Sequence, residues 1–275
     1  MEVLLTSHDR RSRLVEHLHQ AESATIEELA SRFSVSKMTI HRDLDRLEEQ
    51  KIVRKVHGGA TLLPSTVFEA DRAYRSQLAV KEKAVVARAA AERIERGMAV
   101  LVDDSSTVAQ VIPLILDKIP LKIITNSLSI ISDYRYTDGI SVTALGGDYD
   151  AICDAFFGII AEQSIARLRA DVALLSVAAI RGASAYFHNP EVVRFKLACL
   201  AAADRSILLV DHTKFEKSAL HLFSHLSTFD EVLTSDLVDP LIVNDLRDAR
   251  VKLSVIDMNR PAEADGMTQQ RSTPS

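Results

Sequence analysis

Near the N-terminus, apolar side chains recur at helical spacing in three short segments. The first begins at Asp9, a suitable N-cap, and runs to about Gln20. Thr25 and Glu28 have capping-box spacing at the start of the second segment, and Ser36 caps the third. The apolar positions are Leu14, Val15, Leu18, Ile26, Leu29, Ala30, Phe33, Ile40, Leu44 and Leu47. Three short helices with a tight turn before the last predict a helix-turn-helix.

The pattern then changes from helical spacing to two short β-type runs within residues 52–62. Gly58 and Gly59 lie between these runs, where two glycines at positive φ favour a tight hairpin. A hairpin that directly follows a helix-turn-helix is a wing. Its basic residues, which would extend a positive surface onto neighbouring phosphates, are Arg54, Lys55 and His57.

Beyond residue 80, runs rich in Val, Ile and Leu alternate with helical stretches. A helix predicted from Lys81 to Arg96, ended by Gly97, leads into the apolar run at residues 99–102. Further apolar runs are residues 121–125, 141–145, 172–177, 207–210 and 252–256. Short apolar strands separated by helices predict an α/β domain with a Rossmann-like, largely parallel sheet that is covered on both faces.

The polar stretch at residues 64–79 is a predicted linker between a winged helix-turn-helix at residues 1–63 and a second domain at residues 80–258. Residues 259–275 form a predicted disordered tail. A length of 275 residues agrees with two domains, and 47% hydrophobic against 26% charged residues excludes a disordered chain. No apolar run approaches the roughly 20 residues that span a bilayer, and the N-terminus lacks a signal core, so we expect a soluble, cytoplasmic protein.

The net charge of −5 argues against a nucleic-acid partner, but residues 31–60 hold seven Lys and Arg against four Asp and Glu. Projected at about 100° per residue, the third helix places Arg42 and Arg46 opposite its apolar stripe. There Arg42 can pair with guanine in a major groove, although charge alone would also suit a solvated helix face. The residues predicted to contact DNA are Thr25, Ser36, Lys37, Met38, Thr39, His41, Arg42, Arg46, Arg54, Lys55, His57, Gly58 and Gly59.

Small polar residues follow several predicted strands, at the edge where parallel sheets bind ligands. Asp103–Thr107 is expected to open a helix and to offer hydroxyls and backbone N–H groups to an anion, and Lys214 supplies a cation after a later strand. Asn126-Ser127 and the glycine pair at 146–147 follow two other strands. Together these residues favour a phosphorylated polyol or sugar, whereas each alone is also explained as a cap, a turn residue or a surface lysine.

The sequence gives little support for a disulfide framework, a metal site or catalysis. Cys153 and Cys199 are too few for a disulfide framework or a cysteine metal site. His188 and His212 could join Asp211 at a metal, and His221 and His225 are four apart, which would share one face of a helix. No HExxH pattern or fixed carboxylate ligand accompanies these histidines. We therefore predict no metal, no cofactor and no catalytic residue.

Four motifs between Asp9 and Leu63 resemble the DNA-binding domain of the DeoR family of bacterial transcriptional regulators. They are EELA at Glu27–Ala30, VS at Val35-Ser36, T-I-x-R-D-L at Thr39–Leu44 and VHGGA at Val56–Ala60. From about Lys81 to Asp236 the chain is similar to the effector-binding domain of the same family. The motifs there are D-x-x-x-T at Asp103–Thr107, T-N-S at Thr125–Ser127, L-G-G at Leu145–Gly147, F-x-G at Phe156–Gly158, R-A-D at Arg169–Asp171 and D-x-x-K-F at Asp211–Phe215.

The resemblance implies a repressor of carbohydrate-metabolism genes that binds a double-stranded operator and is released by a phosphorylated sugar. It also implies that the second domain has a fold like that of ribose-5-phosphate isomerase. A single helix-turn-helix reads a short half-site, so we expect a homo-oligomer. The residues predicted to contact the effector are Asp103, Ser105, Ser106, Thr107, Asn126, Ser127, Gly146, Gly147, Arg181 and Lys214.

The chain departs from the family pattern at positions that bear on function. His41 stands where members commonly carry arginine, and this difference affects the operator sequence that is read. In the second domain, Asp104 and Ser105 stand in a loop that usually reads D-S-G-T-T in the family. Ala178 and Ala179 stand where an acid is usual, and alanine cannot transfer a proton. An isomerase-like enzyme with an accessory DNA-binding domain is therefore disfavoured. An architectural protein without effector control leaves the strand-end polar residues unexplained.

Overall fold

The computed structural model describes residues 7–21, 23–49, 53–62 and 72–259. Residues 64–71 of the predicted linker and 260–275 of the predicted tail lie outside the described residues. Three helices come first: α1 (Ser7–Ala21), α2 (Ile26–Arg32) and α3 (Lys37–Glu49). The capping box is confirmed, because the Thr25 hydroxyl accepts from the Glu28 N–H and the Glu28 carboxylate accepts from the Thr25 N–H. Asp9 is not a cap, since α1 begins before it at Ser7.

The three helices enclose a small core of their own. Its buried members are Leu14, Val15, Leu18, Ala24, Leu29, Ile40, Leu44, Leu47, Val53 and Ala60. The helical members are the positions that the spacing of apolar residues predicts, so α3 turns its opposite face outward.

A three-stranded antiparallel sheet accompanies these helices, one strand more than the predicted hairpin. Its strands β1 (Ser23–Thr25), β2 (Val53–Val56) and β3 (Gly59–Leu62) are arranged in the order β1-β3-β2. Of the two glycines predicted to form the turn, only Gly58 does so, with φ +77°. The prediction is wrong for Gly59, which belongs to β3. A Cβ at Gly59 would lie 2.3 Å from the Ala24 carbonyl oxygen, so this glycine serves the close approach of β1 to β3.

The rest of the chain folds around a seven-stranded sheet in which every pairing is parallel. In the order found across the sheet, its strands are β15 (Leu253–Ile256), β14 (Glu231–Ser235), β12 (Ala203–Leu209), β9 (Ala170–Leu175), β4 (Ala99–Val102), β5 (Leu121–Thr125) and β6 (Ile140–Ala144). The predicted parallel α/β sheet is confirmed, and β14 is a strand that the sequence interpretation missed. Large hydrophobic clusters lie on both faces of the sheet.

Helices and smaller sheets surround this core. The helices are α4 (Arg72–Gln77), α5 (Val80–Ala91), α6 (Leu128–Tyr134), α7 (Ile159–Ile165), α8 (Pro190–Ala201) and α9 (Pro240–Asp248). The small antiparallel sheets consist of β7 (Asp148–Asp150) with β8 (Ala155–Phe157), and of β10 (Ala179–Arg181), β11 (Ser184–Phe187) and β13 (His221–His225).

Three expectations for this part are corrected. The helix predicted to reach Arg96 ends at Ala91, and two separate turns follow at residues 92–93 and 96–97. Part of the predicted linker is the helix α4. His221 and His225 lie at the two ends of the strand β13 rather than on a helix. Among the described residues, no helix is both long and apolar enough to cross a membrane.

Candidate functional site

The outward face of α3 carries the side chains that the helical projection selected. Met38 is 62% exposed, and Arg42 and Arg46 are exposed, whereas Ile40 and Leu44 are buried. The cap of α3 is also as predicted, because the Ser36 hydroxyl accepts from the Thr39 N–H at 3.1 Å. Thr39 and His41 are partly buried at the flanks of this face. The helix therefore presents two guanidinium groups to solvent on a rigid, capped support.

Two basic residues that were predicted to contact DNA are engaged in ion pairs within the protein. The Lys37 ammonium pairs with Glu27, and the Lys55 ammonium pairs with Asp45 of α3. Hydrogen bonding to Asp45 raises the pKa of Lys55, so this lysine stays charged. The Lys55 N–H also donates to the Glu48 carboxylate at 2.9 Å. Lys55 therefore joins the wing to α3 and sets the position of the wing.

The remaining predicted DNA contacts differ in exposure, and Gly59 is buried in β3. Arg54 and His57 are exposed on the wing, next to Gly58 in the turn. Thr25 is exposed but its hydroxyl caps α2.

A buried carboxylate in α3, which the sequence interpretation missed, anchors α1. Asp43 is 3% exposed, and its oxygens lie 2.6 Å from Arg10 Nε and 3.5 Å from Arg11 Nη1. These arginines line a groove together with Thr39, Arg42 and Arg46. Because Asp43 is next to Arg42 in the chain, this contact fixes the orientation of the exposed face. Local spacing gave no signal for it, since the partners are 33 residues apart.

The central sheet has a cavity of about 190 Å³ at the carboxyl ends of the neighbouring strands β4, β9 and β12. This is the edge at which parallel sheets bind ligands. The volume is below the roughly 300 Å³ at which pockets for drug-sized ligands begin, so the cavity suits a small metabolite. Its lining consists of Arg75, Asp104, Ser105, Ser106, Thr107, Asp150, Ile152, Cys153, Ser176, Val177, Ala178, Phe187, His188, Asn189, Val192, Lys196 and Lys214.

The loop from Asp103 to Thr107 opens no α-helix, contrary to expectation, and its residues 104–107 line the cavity. Only short 3₁₀ turns follow it. The Ser105 hydroxyl accepts from the Thr107 N–H at 3.1 Å and from the Val108 N–H at 3.3 Å, and Asp103 accepts from the Ser105 N–H at 2.8 Å. Those N–H groups are used within the loop. An anion in the cavity therefore depends on side-chain cations rather than on a helix dipole.

Two carboxylates and a lysine are buried together at the base of the cavity. The Lys196 ammonium, 2% exposed, pairs with Asp103 and lies 3.6 Å from Asp104 Oδ1. Burial raises the pKa of Asp103. Burial acts in the same direction on Asp104, but the nearby charges of Lys196 and Arg75 outweigh it and lower the pKa of that carboxyl. Asp104 is therefore ionised at neutral pH.

A second buried group lies beside the loop that follows β12. Asp211 accepts from the Thr213 N–H at 3.1 Å, and burial, which would raise its pKa, is outweighed by Lys214 and Lys83, which lower it. Burial lowers the pKa of Lys83 to about 8. The Lys83 ammonium donates to the Ser106 hydroxyl at 3.2 Å and also to the Arg75 carbonyl oxygen. Lys83 thus connects α5 to the cavity loop and to α4.

The cavity brings together only part of the predicted effector set. Ser105, Ser106, Thr107 and Lys214 line it, and Asp103 lies directly beneath it. The other five predicted residues, which do not line it, are Asn126, Ser127, Gly146, Gly147 and Arg181.

Each residue outside the cavity has a local role or position. The Asn126 amide donates to the Phe156 carbonyl oxygen at 3.0 Å, and the hydroxyls of Ser127 and Ser129 are 3.1 Å apart. A Cβ at Gly147 would lie 2.2 Å from the Phe157 carbonyl oxygen, so this glycine permits the approach of β8. Gly146 has open space around it, and Arg181 is exposed at the end of β10.

The sequence interpretation missed the cavity-lining residues Arg75 and Lys196, and it missed Lys83, which contacts the cavity loop through Ser106. Arg75 falls in the stretch predicted as a linker, and Lys83 and Lys196 fall within helices, where lysines are usually exposed. Only their distant partners place them inside. Within the described residues, no group of three or more His, Cys, Asp and Glu side chains is placed to hold a metal ion.

Comparison with known families finds matches in both parts of the chain. Residues 10–66 match the DeoR-like helix-turn-helix domain, and residues 78–236 match the DeoR C terminal sensor domain. The transcriptional repressor AccR of Agrobacterium fabrum is 30% identical over 84% of this chain and 91% of its own length. The glycerol-3-phosphate regulon repressor of Escherichia coli K12 is 29% identical over 90% of this chain and 98% of its own length.

Two solved structures align with this chain at low sequence identity. Ribose 5-phosphate isomerase from Plasmodium falciparum aligns with a TM-score of 0.34 at 18% identity, over 48% of this chain and 52% of that one. The Pyrococcus horikoshii translation initiation factor eIF-2B aligns with a TM-score of 0.44 at 13% identity, over 84% of this chain and 90% of that one.

Proposed function

Because this chain belongs to the DeoR family of DNA-binding transcriptional regulators, we propose that it represses genes of carbohydrate metabolism and is released from its operator by a phosphorylated sugar. The names of its relatives support repression, and one of them is a glycerol-3-phosphate regulon repressor. The observation that carries the proposal is the combination, on one chain, of an exposed arginine face on α3 with a small cavity lined by Arg75, Lys196 and Lys214. Exposed arginines on a helix suit contacts with DNA bases, and a cavity with cationic side chains suits a small anion.

On the DNA side, α3 enters the major groove with Arg42 and Arg46 directed at base edges. Arg54 and His57 of the wing contact phosphates, and Lys55 mainly holds the wing against α3 through Asp45. The other proposed contacts, which are near the start of α2 and α3, in the wing turn or at the first residue of β3, are Thr25, Ser36, Lys37, Met38, Thr39, His41, Gly58 and Gly59. Two copies of the chain bind the two halves of a symmetric operator.

On the effector side, the cavity takes a phosphorylated sugar with Lys214 as one of its cations. Ser105, Ser106 and Thr107 supply small buried polar groups to the cavity lining, and no large aromatic surface is needed for an anchored anion. The predicted contacts from Asn126, Ser127, Gly146, Gly147 and Arg181 require an effector, or a change of shape, that extends beyond the cavity.

The same cavity is proposed to bind without catalysis. Ala178 lines it and Ala179 is buried, at the place where the family resemblance leads us to expect an acid. Incubation with aldose and ketose phosphates, followed by product analysis, tests this point, and we expect no interconversion. As a regulator of chromosomal genes, the protein is proposed to act in the cytoplasm.

Mapping of bound genomic sites in cells identifies the operator and the regulated genes, which we expect to include carbohydrate-metabolism genes. Calorimetry then compares each phosphorylated sugar of that pathway with its unphosphorylated form. We expect binding of the phosphorylated form only, and a loss of at least tenfold in affinity for Lys214→Ala. Lys122→Ala, which removes an exposed lysine from β5, is the matched control. Equal binding of the free sugar would refute the phosphate anchor.

A further inference from the structure

The helix α4 contributes a charged side chain to the cavity although it stands outside the central sheet. Arg75 lines the cavity, and its Nη2 lies 3.1 Å from Asp104 Oδ2. The two side chains are 15% and 3% exposed, so the ion pair is largely shielded from solvent. A shielded guanidinium and carboxylate interact more strongly than a surface pair, and each depends on the other for its charge balance.

Asp104 has a second oxygen that the protein leaves without a hydrogen bond. Asp104 Oδ1 is buried and has no hydrogen-bond partner among the described residues, and the Lys196 ammonium stands at 3.6 Å. A buried charged acceptor without a donor destabilises the protein, because its lost hydration is not replaced by a hydrogen bond. Since Asp104 lines the cavity, a hydroxyl of a bound ligand can supply that donor.

The two ends of the α4 segment are attached to different parts of the molecule. The Arg72 N–H, at the first residue of α4, donates to the Ile152 carbonyl oxygen at 2.9 Å, and Lys83 donates to the Arg75 carbonyl oxygen in the last turn. At the C-terminal end of the segment, Leu78 packs against the hydrophobic core of the three N-terminal helices. The α4 segment therefore links the cavity, which Arg75 lines, to the core that supports α3, which Leu78 contacts.

We propose that Asp104 and Arg75 are the effector-recognition pair: Asp104 accepts a hydrogen bond from a sugar hydroxyl, and Arg75 binds the anionic group. Binding then shifts α4 and, through Leu78, alters the affinity of the N-terminal helices for DNA. This rests on the proposed function in that the ligand is a phosphorylated sugar. Arginine fits the anion because its planar group donates two parallel hydrogen bonds to a phosphate.

The recognition step is tested with the full chain, its mapped operator and three probes: glycerol 3-phosphate, glucose 6-phosphate and fructose 6-phosphate. Calorimetry gives the Kd of the probe that binds the wild type most tightly. We expect Arg75→Gln to weaken that Kd at least tenfold. Arg72→Gln removes the same charge from the same helix but faces Asp154 outside the cavity, and we expect it to stay within threefold of the wild type. Asp104→Ala should weaken the binding of the sugar phosphate but not the binding of inorganic phosphate, because inorganic phosphate lacks the sugar hydroxyl.

The transmission step is tested by the operator Kd, measured by fluorescence anisotropy with and without saturating probe. We expect Leu78→Ala to keep the probe Kd within threefold while the probe-induced change in operator Kd falls at least fivefold. Thermal melting of every variant controls for loss of folding, and Leu78→Met serves if the alanine variant does not fold.

Each outcome separates the two proposals. If Arg75→Gln behaves like Arg72→Gln, the recognition pair is wrong even though the effector binds. If Leu78→Ala retains the full response, α4 does not transmit binding. If the wild type binds none of the probes and no phosphorylated sugar of the mapped pathway, the proposed function fails, and the recognition pair is refuted with it.

Discussion

Arg42→Ala removes the guanidinium at the centre of the exposed face of α3. Arg42 is exposed and makes no ion pair with any of the described residues, whereas Lys37 and Lys55 are paired with Glu27 and Asp45. Arg42 can therefore contact a base without first breaking an interaction within the protein. Its truncation should leave the fold intact, because the core residues of α3 lie on the opposite face.

The size of the expected loss follows from the contact. A bidentate pair between arginine and guanine is worth about 1–3 kcal/mol, which corresponds to about 5- to 150-fold in Kd for one half-site. A symmetric operator that engages two copies of the chain doubles the free energy to about 2–6 kcal/mol. The loss should be specific to sequence, so that binding to unrelated DNA of the same length changes much less.

The assay is a titration of labelled operator, followed by fluorescence anisotropy, with footprinting to define the bound bases. Arg247→Ala is the matched control, because it removes an exposed arginine from α9, far along the chain from α3. If Arg42→Ala bound the operator within twofold of Arg247→Ala and gave the same footprint, α3 would not be the helix that reads the bases.

Three further expectations follow from the structure. Arg54→Ala should lower the slope of log affinity against log salt by about 0.9, the effect of one phosphate contact. Lys55→Ala should lower it less, because Lys55 is paired within the protein, and equal slopes would contradict this. Gly59→Ala should lower the melting temperature more than Gly58→Ala, since only the former places a Cβ 2.3 Å from a backbone oxygen; scanning calorimetry showing the reverse order would exclude the close approach. Lys83 has a pKa of about 8 when folded against a usual value of 10.5, so the unfolded chain binds more protons between these values and stability rises with pH there. Urea denaturation from pH 7 to 9.5 should show the wild type gaining on the order of 2 kcal/mol relative to Lys83→Met, and parallel curves would exclude a lowered pKa.

The parts of the fold that depend on neighbours in sequence could be predicted. The capping box at Thr25, the cap at Ser36 and the apolar stripe of α3 act within one or two helical turns, and all are found in the structure. The alternation of apolar runs with helices was sufficient to predict the parallel sheet. The exposed position of Arg42 follows from the same periodicity, because burial of one face of a helix determines the other.

The sequence was sufficient to predict where the cavity lies but not which residues line it. Strand-end loops at Asp103 and Lys214 meet because the carboxyl ends of parallel strands share one edge. The hydrogen bonds that Ser105 makes to the following N–H groups competed with the helix expected there, and local propensity did not reveal this.

Only the tertiary structure decided which charged side chains are buried and what they contact. Lys196 reaches Asp103 across 93 residues of chain, and Arg75 reaches Asp104 from a stretch that has the composition of a linker. Gly59 likewise owes its place to the backbone of Ala24, which packs against it from another strand. A charge is tolerated in the interior only beside a partner of opposite charge. A sequence pattern that repeats every two or four residues contains no information about a partner that lies tens of residues away in the chain.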